Sequence, residues 1–310
     1  MALLEPRPNR VSRRGLEPPW SVLGVSVEHA CDVADAVRIA ELDWDVEAIE
    51  PIMVSHGNQI LVVPGHAATV RLSPNLRALA VVTDQYRVVQ NRDAFAMVDD
   101  LLRESDLRFG WAGEYDEGRK VFLTLSDPEP IVVGSDDVHY VHYMALNSHD
   151  RSTALRLEIV LSRRRDNSQP VMSFPDVDRQ VRLKHTRNVD ARSEEARETL
   201  PGFRSYLAEF LAQAEAFERQ PYSSEDFRKY ARKVFRKRSN VDDIVGEAHG
   251  LFLEESRTKW GAYCAIVRWL DAFQTVKGRV GTQHEQRAIR MLGGVSTRLK
   301  ESAADELRRT

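Results

Sequence analysis

Asp226 to Asn240, DFRKYARKVFRKRSN, is the stretch whose residue types and spacing point most directly to a chemistry. At helical spacing Phe227, Tyr230, Ala231, Val234 and Phe235 fall on one face. Arg228, Arg232 and Arg236, with Lys229, Lys233 and Lys237, then form two neighbouring basic rows. Like charges four residues apart repel, so such a helix wants an anionic partner, either acidic residues on a neighbouring helix or a phosphate backbone. Glu215, Glu218, Glu254 and Glu255 make the first available. A salt-bridged or solvated face and a polyanion-binding face therefore both fit the pattern. Arg163, Arg164 and Arg165, followed by Arg179, Arg182, Lys184 and His185, make a second basic region around the proline-broken connection SRRRDNSQPVMSFPD. Such a connection can wrap a phosphate backbone or remain a solvated loop. Tyr222 and Tyr230 are the aromatics on which a base could stack.

Histidine offers a second chemistry. His139 and His142 form an HxxH, but in a strand residues three apart point to opposite faces, so the pair cannot share a ligand. Surface or hydrogen-bonded histidines are expected instead. In the polar loop NSHDRS, Asn147, His149 and Asp150 lie between two apolar segments, where functional side chains collect; the same residue types also make ordinary turns. No phosphate-cradling loop, dinucleotide-binding glycine pattern, nucleophile elbow or HExxH occurs. Asp99-Asp100 and Asp136-Asp137 diverge on any regular backbone, and Cys31 and Cys264 are far apart in sequence with no CxxC. No catalytic set, metal site or cofactor is expected, and an enzyme reading rests on His149 and Asp150 alone.

These residues need elements to hold them. Asp84 to Leu102 reads as a strand through Tyr86, Val88 and Val89 that turns at Asn91 into an amphipathic helix carrying Phe95, Met97, Val98, Leu101 and Leu102. Asn91 is the natural N-cap, its side-chain oxygen accepting from the amide of Asp93 or Ala94. Before this corner a short helix is expected around Cys31 to Leu42 and an extended segment at Val46 to Met53. A hairpin-like run follows: Gln59 to Val63, a Pro64-Gly65 turn, Ala68 to Leu72, and Ala78 to Thr83. After it, Phe109 to Tyr115 and Lys120 to Leu125 flank a turn at Asp116 to Gly118, with further strands at Val138 to Leu146 and Ala154 to Leu161. From Val189 the strand signal stops, and helices are expected near Ser193 to Leu200, Phe203 to Glu218, Ser224 to Lys237, Asp242 to Phe273 with a break, and Gln283 to the end with an interruption at Gly293-Gly294. The fold class is α+β: a disordered basic arm over residues 1–18, a strand-rich α+β domain over 19–188 and an all-helical region over 189–310. The 310 residues, 42% hydrophobic and 29% charged, can bury a sizeable core. With no signal-peptide-like start and no apolar run of spanning length, a cytoplasmic protein with no membrane partner is expected. A net charge of −3 predicts no global attraction to nucleic acid, so such binding must come from local clustering of the 44 basic residues.

PPWSVLG, YRVVQNRDAF, GWAGEYDEGRKVFLTL, NSHDRS, KHT, TKWGAYCAIVRWLDAF and GGVSTRLKESA occur in that order from Pro18 onward. In this they resemble a family of phage- and plasmid-borne proteins catalogued as domain of unknown function 932. Two positions depart from the family pattern: Arg151 stands where members have glycine after the His-Asp pair, and SRRRDNSQP replaces a Cys-Gln-Asn-Thr-Leu segment. The resemblance implies mobile-element biology without an established reaction. A looser architectural similarity links the strand-hairpin-helix core, basic surface and helical region to the single-strand annealing proteins of phage recombination systems. The leading expectation is a non-catalytic protein that binds single-stranded DNA as a homo-oligomer through Arg163, Arg164, Arg165, Arg182, Lys184, Arg228, Lys229, Arg232, Lys233, Arg236 and Lys237. The alternative is a protein-interaction or regulatory module whose basic helix docks an acidic partner.

Overall fold

The structure, a computed structural model, describes residues 17–310 apart from 104, 154, 164–170, 173–179, 183–188, 277–280 and 295; for Met97, Asp100, Leu101, 180–182 and 189–201 it describes the backbone alone. A 3-10 turn, Pro19–Leu23, leads into β1 (Gly24–Ser26), α1 (Val33–Ile39), β2 (Val46–Ile49), β3 (Ile52–His56), β4 (Gln59–Val63), β5 (His66–Arg71) and β6 (Arg77–Thr83). Helix α2 (Asn91–Arg103) precedes β7 (Arg108–Tyr115), β8 (Lys120–Ser126), β9 (Ile131–Val133), β10 (Asp137–Ser148), β11 (Arg156–Arg163), β12 (Val171–Met172) and β13 (Gln180–Arg182). The chain then turns helical: α3 (Val189–Glu218), α4 (Ser224–Val234), α5 (Val241–Glu254), α6 (Lys259–Arg268) with a π turn at Trp269–Phe273, α7 (Gln283–Leu292) and α8 (Thr297–Arg308). Strands first and helices after make it an α+β protein.

The main sheet runs β1-β7-β8-β10-β11-β12, with β9 beside β10 and β13 beside β11, all antiparallel. Side chains alternate across it. Leu123, Ala145 and Leu157 stand in one cross-strand row, and Leu125, Tyr143 and Ile159 in the next. Both rows share a core with Phe95 of α2, Phe203 and Phe210 of α3 and Trp260 of α6. The opposite face carries Phe122, Met144, Leu146 and Val160, covered by Trp20 of the N-terminal turn and Leu292 of α7. The Arg156 guanidinium donates to the Leu292 carbonyl (2.8 Å) and pins α7 there. Strand β1 can lie this close to β7 because both facing residues are glycines: a Cβ on Gly24 would sit 2.2 Å from the Ala112 oxygen.

Local order departs from expectation at five places. Residues 86–90 form no strand; Val89 is fastened by the Asn147 side chain, which donates to its carbonyl (3.2 Å), and Gln90 exchanges two side-chain bonds with the backbone of Val46. Asn91 is buried and does not cap α2. Its Nδ2 donates to the Leu42 carbonyl (2.9 Å) while the Ala94 amide bonds Gln90 (2.8 Å). The β4 strand pairs with β3 across a two-residue Gly57-Asn58 turn, while β5 pairs with β2 and β6. Two of the expected helices merge into α3, and α4 stops at Val234, short of Lys237.

His139 and His142 do face opposite sides of β10. His139 lies against Phe210 and Trp260, and His142 bonds the hydroxyls of Ser126 (3.2 Å) and Ser162 (3.0 Å) edge-on to Trp20. Burial pushes the His142 imidazole down to about 4 from 6.5, and burial lowers His139 as well. The unfolded imidazole therefore takes up its proton at a higher pH than the folded one. Stability is full above the unfolded value and is lost as pH falls toward the folded one, by about 1.4 kcal/mol per pH unit per group. Urea unfolding followed by circular dichroism from neutral pH to about pH 4.5 should show this loss, and His142→Gln should make it shallower; an unchanged slope refutes the assignment.

Candidate functional site

Helix α4 starts where Ser223 accepts from the Asp226 amide (3.1 Å), with Glu225 and Asp226 in the first turn, where the helix dipole favours negative charge. Its apolar face is buried: Phe227 stacks on Phe252 of α5 at 4.5 Å, and Phe235, just past the helix, meets Trp269 edge-on at 5.0 Å. This turns Arg228, Lys229, Arg232 and Lys233 to solvent. The chain then makes a turn through Arg236, Lys237 and Arg238, all exposed, at the helix C-terminus, where unpaired carbonyls favour cations. Beside it lies α8, anchored by Ala303, Ala304 and Leu307 and by Lys300, which is buried against Asp271 (2.6 Å) and the Val171 carbonyl (2.7 Å).

Between the end of α4 and α8 a cleft of about 450 Å³ opens. Six cationic side chains line it, Lys233, Arg236, Lys237, Arg238, Arg298 and Arg309, against three acidic ones, Glu301, Asp305 and Glu306. Two of the acids are already engaged: Glu306 pairs with Lys233 (2.6 Å) and Asp305 with Arg308 (3.0 Å). Arg236, Lys237, Arg238, Arg298 and Arg309 are exposed and make no ion pair among the described residues. Arg298 and Arg309 escaped the sequence reading because only the fold brings the start and end of α8 to the end of α4; the dense basic run that extends to Arg238 was the available signal.

The other basic positions divide. Lys229 pairs with Glu225 (2.7 Å) and Arg232 with Asp242 (2.8 Å), and Arg228 lies 3.4 Å from Nδ1 of His249. These pairs are well exposed, and such contacts contribute about 0–1 kcal/mol and exchange readily. Arg163 is a clear correction. It is 3% exposed and bridges Asp137 of β10 (2.6 Å) and Glu255 after α5 (2.8 Å), while Trp260 also donates to Asp137 (2.6 Å). Burial alone would raise the Asp137 carboxyl, but the contact with His139 and the Arg163 charge outweigh it and hold it well below the usual carboxylate range. Arg163 therefore joins sheet to helices. Arg164, Arg165 and Lys184 lie outside the described residues, as does the side chain of Arg182. Tyr230 is 1% exposed and cannot stack on a base; Tyr222 is half-buried with its ring edge-on to Tyr230.

The NSHDRS loop is internal hydrogen bonding. His149 is fully buried, and its Nε2 lies 2.9 Å from Oδ1 of Asn91, an oxygen that can only accept, so Nε2 carries the proton. Its backbone carbonyl accepts from Thr69 (2.8 Å) and its amide donates to the Arg119 carbonyl (2.8 Å). The Tyr86 hydroxyl donates to the Ser148 carbonyl (3.1 Å), and Asp150 accepts from the Ser152 amide (2.9 Å) in a local turn. His149 and Asp150 thus serve different partners and form no acid-base pair. Arg151 has φ of +61°, the left-handed region that glycine enters without strain. Among the described residues no cluster of three or more His, Cys, Asp or Glu could hold a metal ion, and no helix is long and apolar enough to cross a membrane.

The main sheet is antiparallel and covered on both faces, and the cationic cleft lies in its helical cover, between the end of α4 and α8. The chain belongs to the family described as Domain of unknown function (DUF932), whose model matches residues 78–293. That span takes in the main sheet from β7 on, the NSHDRS loop with His149, and α4, and stops before α8. No curated protein and no solved structure matches the chain.

Three substitutions separate these roles. Arg163→Ala removes the guanidinium shared by the half-buried Asp137 and the buried Glu255 and should cost about 3–5 kcal/mol in urea unfolding. His149→Ala leaves a cavity and removes the Asn91 contact, and should cost about 2–4 kcal/mol. Arg151→Gly should be neutral or stabilising by up to about 1 kcal/mol, since it relieves a left-handed side chain. A loss of stability from Arg151→Gly larger than that from His149→Ala contradicts this account of the loop.

Proposed function

We propose that the protein binds the phosphate backbone of a nucleic acid in the cleft between the end of α4 and α8. The observation that carries this reading is the excess of cations there: five exposed Arg and Lys side chains without an acidic partner among the described residues, beside acids that are already engaged. The turn at 236–238 gains some stabilisation from the C-terminal carbonyls of α4, about 0.3–1 kcal/mol per cation. That explanation does not extend to Arg298, which sits in the first turn of α8, the end a cation disfavours. Holding a cation at the wrong end of a helix dipole is accounted for by an external anion.

The cleft offers neutralisation without base reading. With Tyr230 buried, the stacking that favoured single strands loses one of its two residues. Binding is therefore independent of sequence and graded by charge. The resemblance to phage- and plasmid-borne proteins, and the looser one to annealing proteins, support a role in handling a mobile element's DNA during recombination or replication, with single strands as the preferred form.

Fluorescence anisotropy with labelled single- and double-stranded DNA of one length, over a series of salt concentrations, tests this. Affinity should fall with a log-log slope of about 0.7 per phosphate contacted for single strands and about 0.9 for duplex. Arg236→Gln, Lys237→Gln and Arg298→Gln together should weaken binding at least tenfold and flatten the slope, whereas Lys229→Gln, already paired with Glu225, should change little. Salt-independent binding, or a triple variant that binds as the parent does, overturns the proposal.

A further inference from the structure

Strands β3 and β4 form a two-stranded hairpin that joins neither of the other sheets. Met53, Val62 and Ile60 project from one face and Val54 and Leu61 from the other, since Met53 pairs with Val62 and Val54 with Leu61. Their exposures are 62%, 58% and 68%, and 48% and 56%. Only the root, Ile52 and Val63, is half-buried. An antiparallel sheet ordinarily covers one face with a core, and an isolated hairpin is marginal in water. This one covers neither. Residues 51–65, PIMVSHGNQILVVPG, also contain no Lys, Arg, Asp or Glu, in a chain that is 29% charged. Exposed edge strands are normally guarded by charge, and this guard is missing.

The apolar surface continues past the hairpin. Ile49, Ala68 and Val81 stand in one cross-strand row on the outer face of the β2-β5-β6 sheet, and Ile49 is separated from Ile52 only by Glu50 and Pro51. Ile49 is 41% exposed and Val81 64%.

We propose that this hairpin is an assembly arm that docks on a second copy of the same chain. Two arguments select that occupant. The arm carries no charge with which to recognise an acidic or basic partner or a lipid headgroup, whereas a two-fold copy presents the same neutral apolar surface and no like-charge repulsion. The area also suffices. At the apolar area implied by the transfer energy of an aliphatic side chain, the seven exposed residues offer about 340 Å² per copy. With apolar atoms making up about 60% of an interface, mutual coverage buries about 1,100 Å² in total, above the roughly 1,000 Å² that a biological interface must clear. Reciprocal exchange of arms covers both open faces, which one flat contact does not. The arm lies outside the cleft-forming helices, so assembly does not require nucleic acid.

Sedimentation velocity of the full chain without nucleic acid, over two decades of concentration, is the direct test. The parent should sediment as a dimer or larger species, and the double variant Ile60→Lys/Val62→Lys as a monomer with an unchanged circular dichroism spectrum. Bis-maleimide treatment of a Met53→Cys, Cys31→Ser chain supplies a second readout that does not depend on that variant folding: a covalent dimer is expected. A parent that stays monomeric at every concentration, a double variant that sediments as the parent does, cross-linking that yields only monomer, or a monomer whose arm instead inserts into lipid vesicles each overturns the proposal. None of these outcomes bears on the cleft, because DNA is absent throughout.

Discussion

Strand β10 has no side that meets water. Nine of its twelve residues are buried, the odd positions under helices and the even ones under the N-terminal turn and α7. A strand buried on both faces obliges the chain to supply two covers, and here both halves of the sequence contribute to each. Trp20 from before β1 and Leu292 of α7 cover one face, and Phe95 of α2 joins Phe203, Phe210 and Trp260 on the other. The helical half is therefore half of the sheet's core, and α4 and α8 are positioned by what lies beneath them.

Several of the charged and polar groups that this arrangement brings inside are paired across long sequence separations, although the Tyr230 hydroxyl and the Trp20 and Trp44 indole nitrogens have no partner among the described residues. Arg163 answers Asp137 and Glu255, Lys300 answers Asp271, and His149 answers Asn91. A buried charge without a partner is far more costly than an exposed one, so these residues hold elements in register where apolar contacts alone would let them slide. The same rule divides the basic residues of this protein into two populations. Those beneath the surface are bound to specific carboxylates or, for Lys259, to the Leu307 carbonyl, and are structural; those at the end of α4 and at the two ends of α8 face solvent.

This division explains what the sequence makes legible. The apolar runs of β7, β8, β10 and β11 and the buried face of α4 can be read directly, because each is a pattern contained within one element. Arg163 was grouped with Arg164 and Arg165 because a sequence shows the cations and not the Asp137 and Glu255 that wait for one of them. The strand expected at 86–90 failed for a related reason: Tyr86, Val88 and Val89 have strand-forming side chains, but Gln90 and Asn147 take the backbone bonds a ladder would have used. The β3–β4 pairing had a usable signal, a two-residue Gly57-Asn58 turn, which the more conspicuous Pro64-Gly65 turn obscured. The far wall of the cleft had none, since Arg298 and Arg309 come beside Arg236 only through the packing of α8.

A slightly acidic molecule can still present a cationic site, because the two quantities act over different distances. At physiological ionic strength a charge is screened over about 8 Å, so a phosphate in the cleft responds to the side chains lining it and hardly at all to a net charge of −3 spread over the whole chain. Within that radius the balance is set by which acids are free to answer. Glu306 and Asp305 are held by Lys233 and Arg308, and both pairs are surface contacts that a polyanion can displace at little cost. The buried pairs are the opposite case: Arg163 and Lys300 cannot be drawn to a ligand without stranding the carboxylates they serve. The proposed affinity for a polyanion is therefore confined to the rim residues, and the interior charges that hold α8 in place keep the geometry of the cleft fixed while its outer ion pairs exchange.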